Sequence, residues 1–218
     1  MDAAFLSVAG SVTHEAAVDR GVLVRSPVAG ISYFAFADPS GGAHDSFTLG
    51  IAHREKVGSV VLDLLFERRA PFNPSEVTGE IAALLKTYRC MRVTGDKYAA
   101  QWVVEAFNKV GIRYIQSEAD RSAIYLDCLP LFTSGRARLI DNPRLVAQFA
   151  ALERRTFSTG RDRVDHGNTG RDDACNSAAG ALVLAASRKA PMIISDAAIA
   201  VARIPDRRRP VPADPYRF

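Results

Sequence analysis

The sequence predicts a mixed α/β fold: a five-stranded sheet of three antiparallel strands followed by α-β-α-β units, with helices on both faces. Three observations predict it. Apolar, strand-length runs follow one another closely between Ile31 and Phe66, joined by short turn-rich links. From Asn73 onward the pattern changes to helix-length and strand-length segments in alternation, which crosses the chain back over a sheet. Carboxylates also fall where strands should end, at Asp38 and Asp96, and the pair Asp172-Asp173 opens a helix of small residues. Such positions can meet on the edge of an α/β sheet where ligands bind.

The strand runs are Ile31 to Ala37, Ser46 to His53 and Ser59 to Phe66. Asp38-Pro39-Ser40-Gly41-Gly42 begins the first link, and Lys56-Val57-Gly58 makes the second. Asn73-Pro74 reads as a helix cap with proline at the first helical position, and that helix runs to about Tyr88. Met91 to Gly95 is a short strand, Tyr98 to Val110 an amphipathic helix ended by Gly111, and Ile112 to Gln116 another strand. Asp120 to Thr133 is helical, with Pro130 as a kink or an end. Arg136 to Ile140 is strand-like, Asn142-Pro143 starts a helix, and Arg154 to Val164 reads as a hairpin turning at Ser158-Thr159-Gly160. The helix from Asp172 to about Ser187 closes the pattern. Three antiparallel strands followed by α-β-α-β is the order of the ribonuclease H-like fold. Residues 1–30 read as an N-terminal extension or linker, 31–190 as the domain, and 191–218 as an extension ending in a basic, proline-rich tail around Arg207-Arg208-Arg209.

At 218 residues and 48% hydrophobic, the chain suits one domain with a sizeable core. A net charge of +4 tolerates a polyanionic partner without requiring one. Cys90, Cys128 and Cys175 are widely spaced and form no CxxC pair, which argues for buried, reduced thiols rather than disulfides or a zinc site. The N-terminus lacks the pattern of a signal peptide, and no apolar run approaches the roughly 20 residues a membrane span needs. The expectation is a soluble, cytoplasmic protein.

Each acid has an ordinary explanation beside the chemical one. Asp38 precedes proline, as turn aspartates do; Asp96 could cap the next helix, and one of Asp172 and Asp173 could cap the last. Asp63 lies inside an apolar strand and is expected to face solvent across the pleat. Several carboxylates meeting at one edge repel one another unless divalent cations neutralise them, so their convergence predicts hard metals with oxygen ligands. Basic residues gather in the second half, with Arg154, Arg155, Arg161 and Arg163 on the hairpin; Arg136, Arg138, Arg144 and Arg171 also belong to this group. Such a group suits phosphate contact or an ordinary solvated face. His14, His44, His53 and His166 have no metal-ligand spacing, and GxxxxGK[ST] is absent, which excludes a P-loop.

Phe36-Ala37-Asp38-Pro39-Ser40-Gly41-Gly42, Asp45-Ser46-Phe47, Thr94-Gly95-Asp96-Lys97-Tyr98, Trp102-Val103, Leu152-Glu153-Arg154-Arg155-Thr156 and Gly170-Arg171-Asp172-Asp173-Ala174-Cys175-Asn176-Ser177 resemble the nuclease domain of tailed-phage large terminase subunits. That family belongs to the ribonuclease H-like, Holliday-junction-resolvase-like nucleases, and the resemblance runs from about Ile31 to Ser187. It implies a metal-dependent endonuclease that cuts concatemeric double-stranded DNA during genome packaging, in a bacterial host and of phage or prophage origin. Asp38, Asp96 and one of Asp172 and Asp173 would be its catalytic, metal-binding acids, holding two Mg²⁺ or Mn²⁺ ions rather than zinc. Lys97, Arg154, Arg155, Arg161, Arg163 and Arg171 would contact DNA. Arg171 stands where histidine is common, so the site would rely on carboxylates alone. The family's usual packaging ATPase is not in this chain, which suggests a separated domain, a truncated gene or a second chain; a packaging ATPase, small terminase subunit or portal would be partners. Two rival readings are a non-catalytic remnant that binds DNA or a partner, and, more distantly, a fragment of an actin- or sugar-kinase-like ATPase.

Overall fold

The computed structural model describes residues 3–4, 17–96, 101–156, 162–166 and 172–187. Two short strands, β1 (Ala3–Ala4) and β2 (Val18–Asp19), precede three long ones, β3 (Tyr33–Asp38), β4 (Phe47–Arg54) and β5 (Val60–Arg68). Next come α1 (Pro74–Thr87), β6 (Arg92–Gly95), α2 (Gln101–Lys109), β7 (Arg113–Gln116), α3 (Arg121–Thr133) and β8 (Ala137–Ile140). The described chain ends with α4 (Pro143–Ala150), β9 (Leu152–Thr156), β10 (Asp162–His166) and α5 (Asp173–Ser187). All these elements belong to one compact unit, Met1–Arg188. The basic tail lies outside the described residues.

The main sheet has seven strands in the order β2-β8-β5-β4-β3-β6-β7. Its β5-β4-β3-β6-β7 part is the predicted five-stranded sheet: β3, β4 and β5 run antiparallel, and β6 and β7 follow parallel to β3. The difference lies at the β5 edge, where β8 adds in parallel and β2 adds in parallel to β8. An uncovered β5 would present unpaired backbone groups, and β8 satisfies them. Two residues of β2 carry no periodicity that a sequence could reveal. Hence a piece of the segment read as a linker forms the outermost strand. The hairpin expected after α4 is β9 paired antiparallel with β10, Thr156 opposite Asp162, and β1 adds to β9; its turning residues lie outside those described.

Local signals account for the helices. The Asn73 side chain accepts from Ser75 N, with Pro74 in the first turn, and Asn142 and Asp120 likewise cap α4 and α3. Pro130 sits near the end of α3, and the helix runs on to Thr133. The sheet alternates its burial between two cores. Phe36, Ala52, Val60 and Leu62 pack with residues of α3, α4 and α5, while Ala35, Ala37, Leu49 and Ile51 pack with α1 and α2. The three cysteines are buried and unpaired in disulfides. Among the described residues no helix is long and apolar enough to cross a membrane.

Asp63 corrects an expectation. It does not face solvent: it is 1% exposed, and one carboxylate oxygen lies 2.7 Å from His53 Nδ1. The register explains why. Ala52 pairs with Leu62 and Ile51 with Leu64, so Asp63 is the extra residue of a β-bulge and escapes the simple alternation. Its carbonyl accepts from Arg25 N at 2.8 Å, which ties residues preceding β3 to the sheet.

α5 lies unusually close to the strands. A Cβ on Gly50 of β4 would stand 2.8 Å from the Ser177 carbonyl carbon, and one on Gly180 of α5 would overlap the Phe36 ring. These glycines and the alanines at 174, 178, 179 and 181 let the helix backbone approach the sheet. Gly180→Val is therefore expected to destabilise the fold by about 2–4 kcal/mol through overpacking against Phe36, read as a shift in the urea midpoint; an unchanged midpoint would contradict this packing.

Candidate metal and nuclease site

Three elements deliver carboxylates to one edge. β3 ends at Asp38, and the register Ala37↔Gly95 between β3 and β6 makes Asp38 and Asp96 the next residues of two adjacent parallel strands. α5 begins against β3 and β4, with Asp173 as its first residue and Asp172 immediately before it. Thr48 Oγ1 donates to the Asp173 carbonyl at 2.7 Å, anchoring the helix start to the end of β4. One turn into α5, Asn176 is 2% exposed and donates from Nδ2 to Asp38 Oδ2 at 2.8 Å.

The paired acids have different surroundings. Asp172 is 2% exposed; it accepts from Arg121 Nη1 and from the Tyr125 hydroxyl, each at 2.9 Å. Gln148 Oε1 of α4 accepts from Cys175 N at 3.0 Å and so satisfies one of the first backbone donors of α5. Asp173 is half-buried, and the contact from Ser46 N to its Oδ2 is long, at 3.4 Å. Two donors, the partly exposed Arg121 and the buried Tyr125, therefore hold the buried Asp172, whereas Asp173 is the more accessible acid.

Burial pushes the Asp38 carboxyl up to about 7. Arg121 and the Asn176 hydrogen bond pull it down, and the neighbouring Asp173 and Asp172 push it up further. Burial likewise raises Asp173, partly offset by Ser46 N, with Asp172 and Asp45 adding to the rise. Asp172, Asp38 and Asp96 all favour the Arg121 cation against its partial burial. The edge thus carries more negative charge than its one described cation, Arg121, neutralises.

No protein-family model and no curated protein matches the chain. Solved structures do match it. The large terminase nuclease of thermophilic phage G20c superposes with a TM-score of 0.64 at 17% identity, over 78% of this chain and 96% of that one. The P22 large terminase nuclease domain superposes at 0.55 and 8% identity, over 81% and 93%. The HK97 bacteriophage large terminase gives 0.63 at 14%, where 84% of this chain covers 44% of that chain. This chain has the fold of a phage large-terminase nuclease domain. The G20c nuclease has also been solved with magnesium, cobalt and zinc bound.

Within this terminase-nuclease fold the donor chemistry suits a hard divalent ion: oxygen donors only, under-compensated, on three elements of one edge. Among the described residues, no three His, Cys, Asp or Glu side chains are gathered closely enough to hold an ion. Of the residues predicted to contact DNA, Arg154 forms an ion pair with Asp162 across the hairpin, and Arg163 is exposed. Arg155 lies opposite Arg163 in register, while Lys97, Arg161 and Arg171 lie outside the described residues. The hairpin is tied to the site's neighbourhood, since Val164 N donates to Ser122 Oγ at 2.8 Å, one residue from Arg121.

Sequence reasoning missed Arg121, Tyr125 and Gln148. Arg121 did carry a signal, because an arginine in the first turn of a helix opposes the helix dipole and calls for a nearby acid. Asn176 carried another, as an amide inside an otherwise apolar helix.

A carboxyl near 7 in the folded protein and about 4 unfolded binds more protons in the fold between those values, so stability falls as pH rises through that window. Without divalent ions, Asp38→Asn should match the wild type near pH 4 and exceed it by about 2–4 kcal/mol at pH 8 in urea denaturation; parallel pH profiles would contradict the burial of an unneutralised Asp38.

Proposed function

We propose that this protein is a divalent-metal-dependent DNA endonuclease of the phage terminase type, cutting concatemeric double-stranded DNA during genome packaging in the host cytoplasm. The observation that carries this reading is the placement of Asp38, Asp96 and Asp173 at neighbouring element ends on one sheet edge, within a fold shared with phage terminase nucleases. Asp38, Asp96 and Asp173 would hold the Mg²⁺ or Mn²⁺ ions. Two such ions, when bound, supply activation of the attacking water and stabilisation of the leaving 3′ oxygen in an in-line hydrolysis. The P–O3′ bond breaks, leaving a 3′ hydroxyl and a 5′ phosphate.

The chain's own groups set the stage for that step. Asn176 holds one oxygen of Asp38 and so orients the other for a cation. Asp172, held by Arg121 and Tyr125, serves as the anchor that fixes Arg121 beside the acids rather than as a ligand. Arg121 supplies part of the counter-charge and stands ready for a phosphate oxygen. Arginines of the β9–β10 hairpin, with Lys97 and Arg171, would hold the DNA backbone without reading sequence, giving salt-sensitive and weakly sequence-specific cleavage. A separate packaging ATPase, small terminase subunit or portal would be its partners in that process.

Supercoiled plasmid is expected to be nicked and linearised in Mn²⁺ or Mg²⁺, and to stay intact in EDTA or with Asp38→Ala. DNA bound but uncut in every metal would favour a non-catalytic module instead. The paired acids should separate as well. Asp173→Asn should lower metal-dependent cleavage by at least about 100-fold with the fold intact. Asp172→Asn should cost about 1–3 kcal/mol of stability by weakening the bonds from Arg121 and Tyr125, read by urea denaturation, while Mn²⁺ still binds. The reverse pattern would exchange the two roles.

A further inference from the structure

Tyr114 on β7 carries a polar group that its packing does not explain. The residue is 7% exposed, its ring stacks on Phe107 with centroids 5.5 Å apart, and it lies opposite Val93 in the β6–β7 register. Phenylalanine would make the same apolar contacts. The hydroxyl is buried and has no hydrogen-bond partner among the described residues, an arrangement that is uncommon in folded proteins and calls for an explanation.

Its position suggests the task. The hydroxyl occupies the space where a Cβ on Gly95 would stand, and that Cβ would also lie 2.6 Å from the Ala37 carbonyl oxygen. Gly95 and Ala37 are paired in register, and each immediately precedes one of the strand-end acids, Asp96 and Asp38. The phenol therefore reaches under the two strand ends through a gap that only glycine leaves open. Burial, then the charges of Asp96 and Asp38, hold the hydroxyl in its protonated form, so it keeps a proton to donate toward an ionised acid.

We propose that Tyr114 is a positioning residue for the acid cluster, its hydroxyl donating to the Asp96 carboxylate through one bridging water and fixing that acid's orientation as a divalent-cation ligand. Gly95 provides the room for this contact. The inference rests on the metal-dependent nuclease reading and adds a residue to it. Hydrogen bonds to a ligating carboxylate from behind tune metal affinity without touching the metal or substrate.

The test compares wild type with Tyr114→Phe by Mn²⁺ titration calorimetry, steady-state plasmid nicking and thermal melting in EDTA. The expected result is an unchanged or higher melting temperature in EDTA, Mn²⁺ binding weakened about tenfold, and a lower kcat with KM for DNA unchanged. Gly95→Ala, whose methyl group would displace the hydroxyl, should weaken Mn²⁺ binding in the same direction and keeps the question answerable if Tyr114→Phe folds poorly. Mn²⁺ affinity equal to wild type in either folded variant would overturn the inference while leaving the nuclease reading intact. A wild type that binds no Mn²⁺ would overturn that reading, and this inference with it.

Discussion

The seating of α5 against β3 and β4 is the constraint on which the rest of the structure depends. Gly50, Gly180 and the helix's run of alanines remove the side chains that would hold the two layers apart. Because the helix lies that close, its first turn arrives at the strand ends, and Asn176 reaches Asp38 from the next turn. A larger residue at Gly50 or Gly180 would separate the layers and pull Asp173 and Asn176 away from β3. The acidic edge is thus a consequence of backbone proximity, which the core residues of the same helix enforce.

Charge is the second organising principle, and it divides two adjacent, chemically identical residues. Asp172 has an arginine, a tyrosine and deep burial, which together make a fixed ion pair. Asp173 has one long backbone contact and partial exposure. Burial of Asp38 beside them raises its carboxyl toward neutrality, an expensive position for a strand-end acid unless a cation is part of its working environment. Arg121 meets part of that need from within the chain, and its commitment to Asp172 keeps it close to the cluster without filling it.

Much of this was legible in the sequence, for physical reasons. Strand order and helix starts follow from period, turn residues and caps, which are local; Asn73, Asp120 and Asn142 cap where their residue types imply. The acids at 38, 96, 172 and 173 stood out because strand ends and helix starts are visible locally and because the surrounding motifs resemble a known nuclease family. What stayed hidden depends on packing between distant segments. The β5 bulge turned Asp63 inward, β2 was too short to show a period, and Arg121 meets Asp172 across 51 positions of sequence. Tyr114 reads as an ordinary core aromatic until its hydroxyl is found against Gly95. The choice between Asp172 and Asp173, open in the sequence, is proposed on the donors Arg121 and Tyr125 that α3 brings to Asp172.

The most direct measurement is a crystal grown in Mn²⁺ and examined by anomalous scattering at the manganese edge. Manganese density is expected between Asp38, Asp96 and Asp173, with Arg121 still paired to Asp172. Manganese on Asp172 with Arg121 displaced, or no manganese at this edge at all, would contradict it.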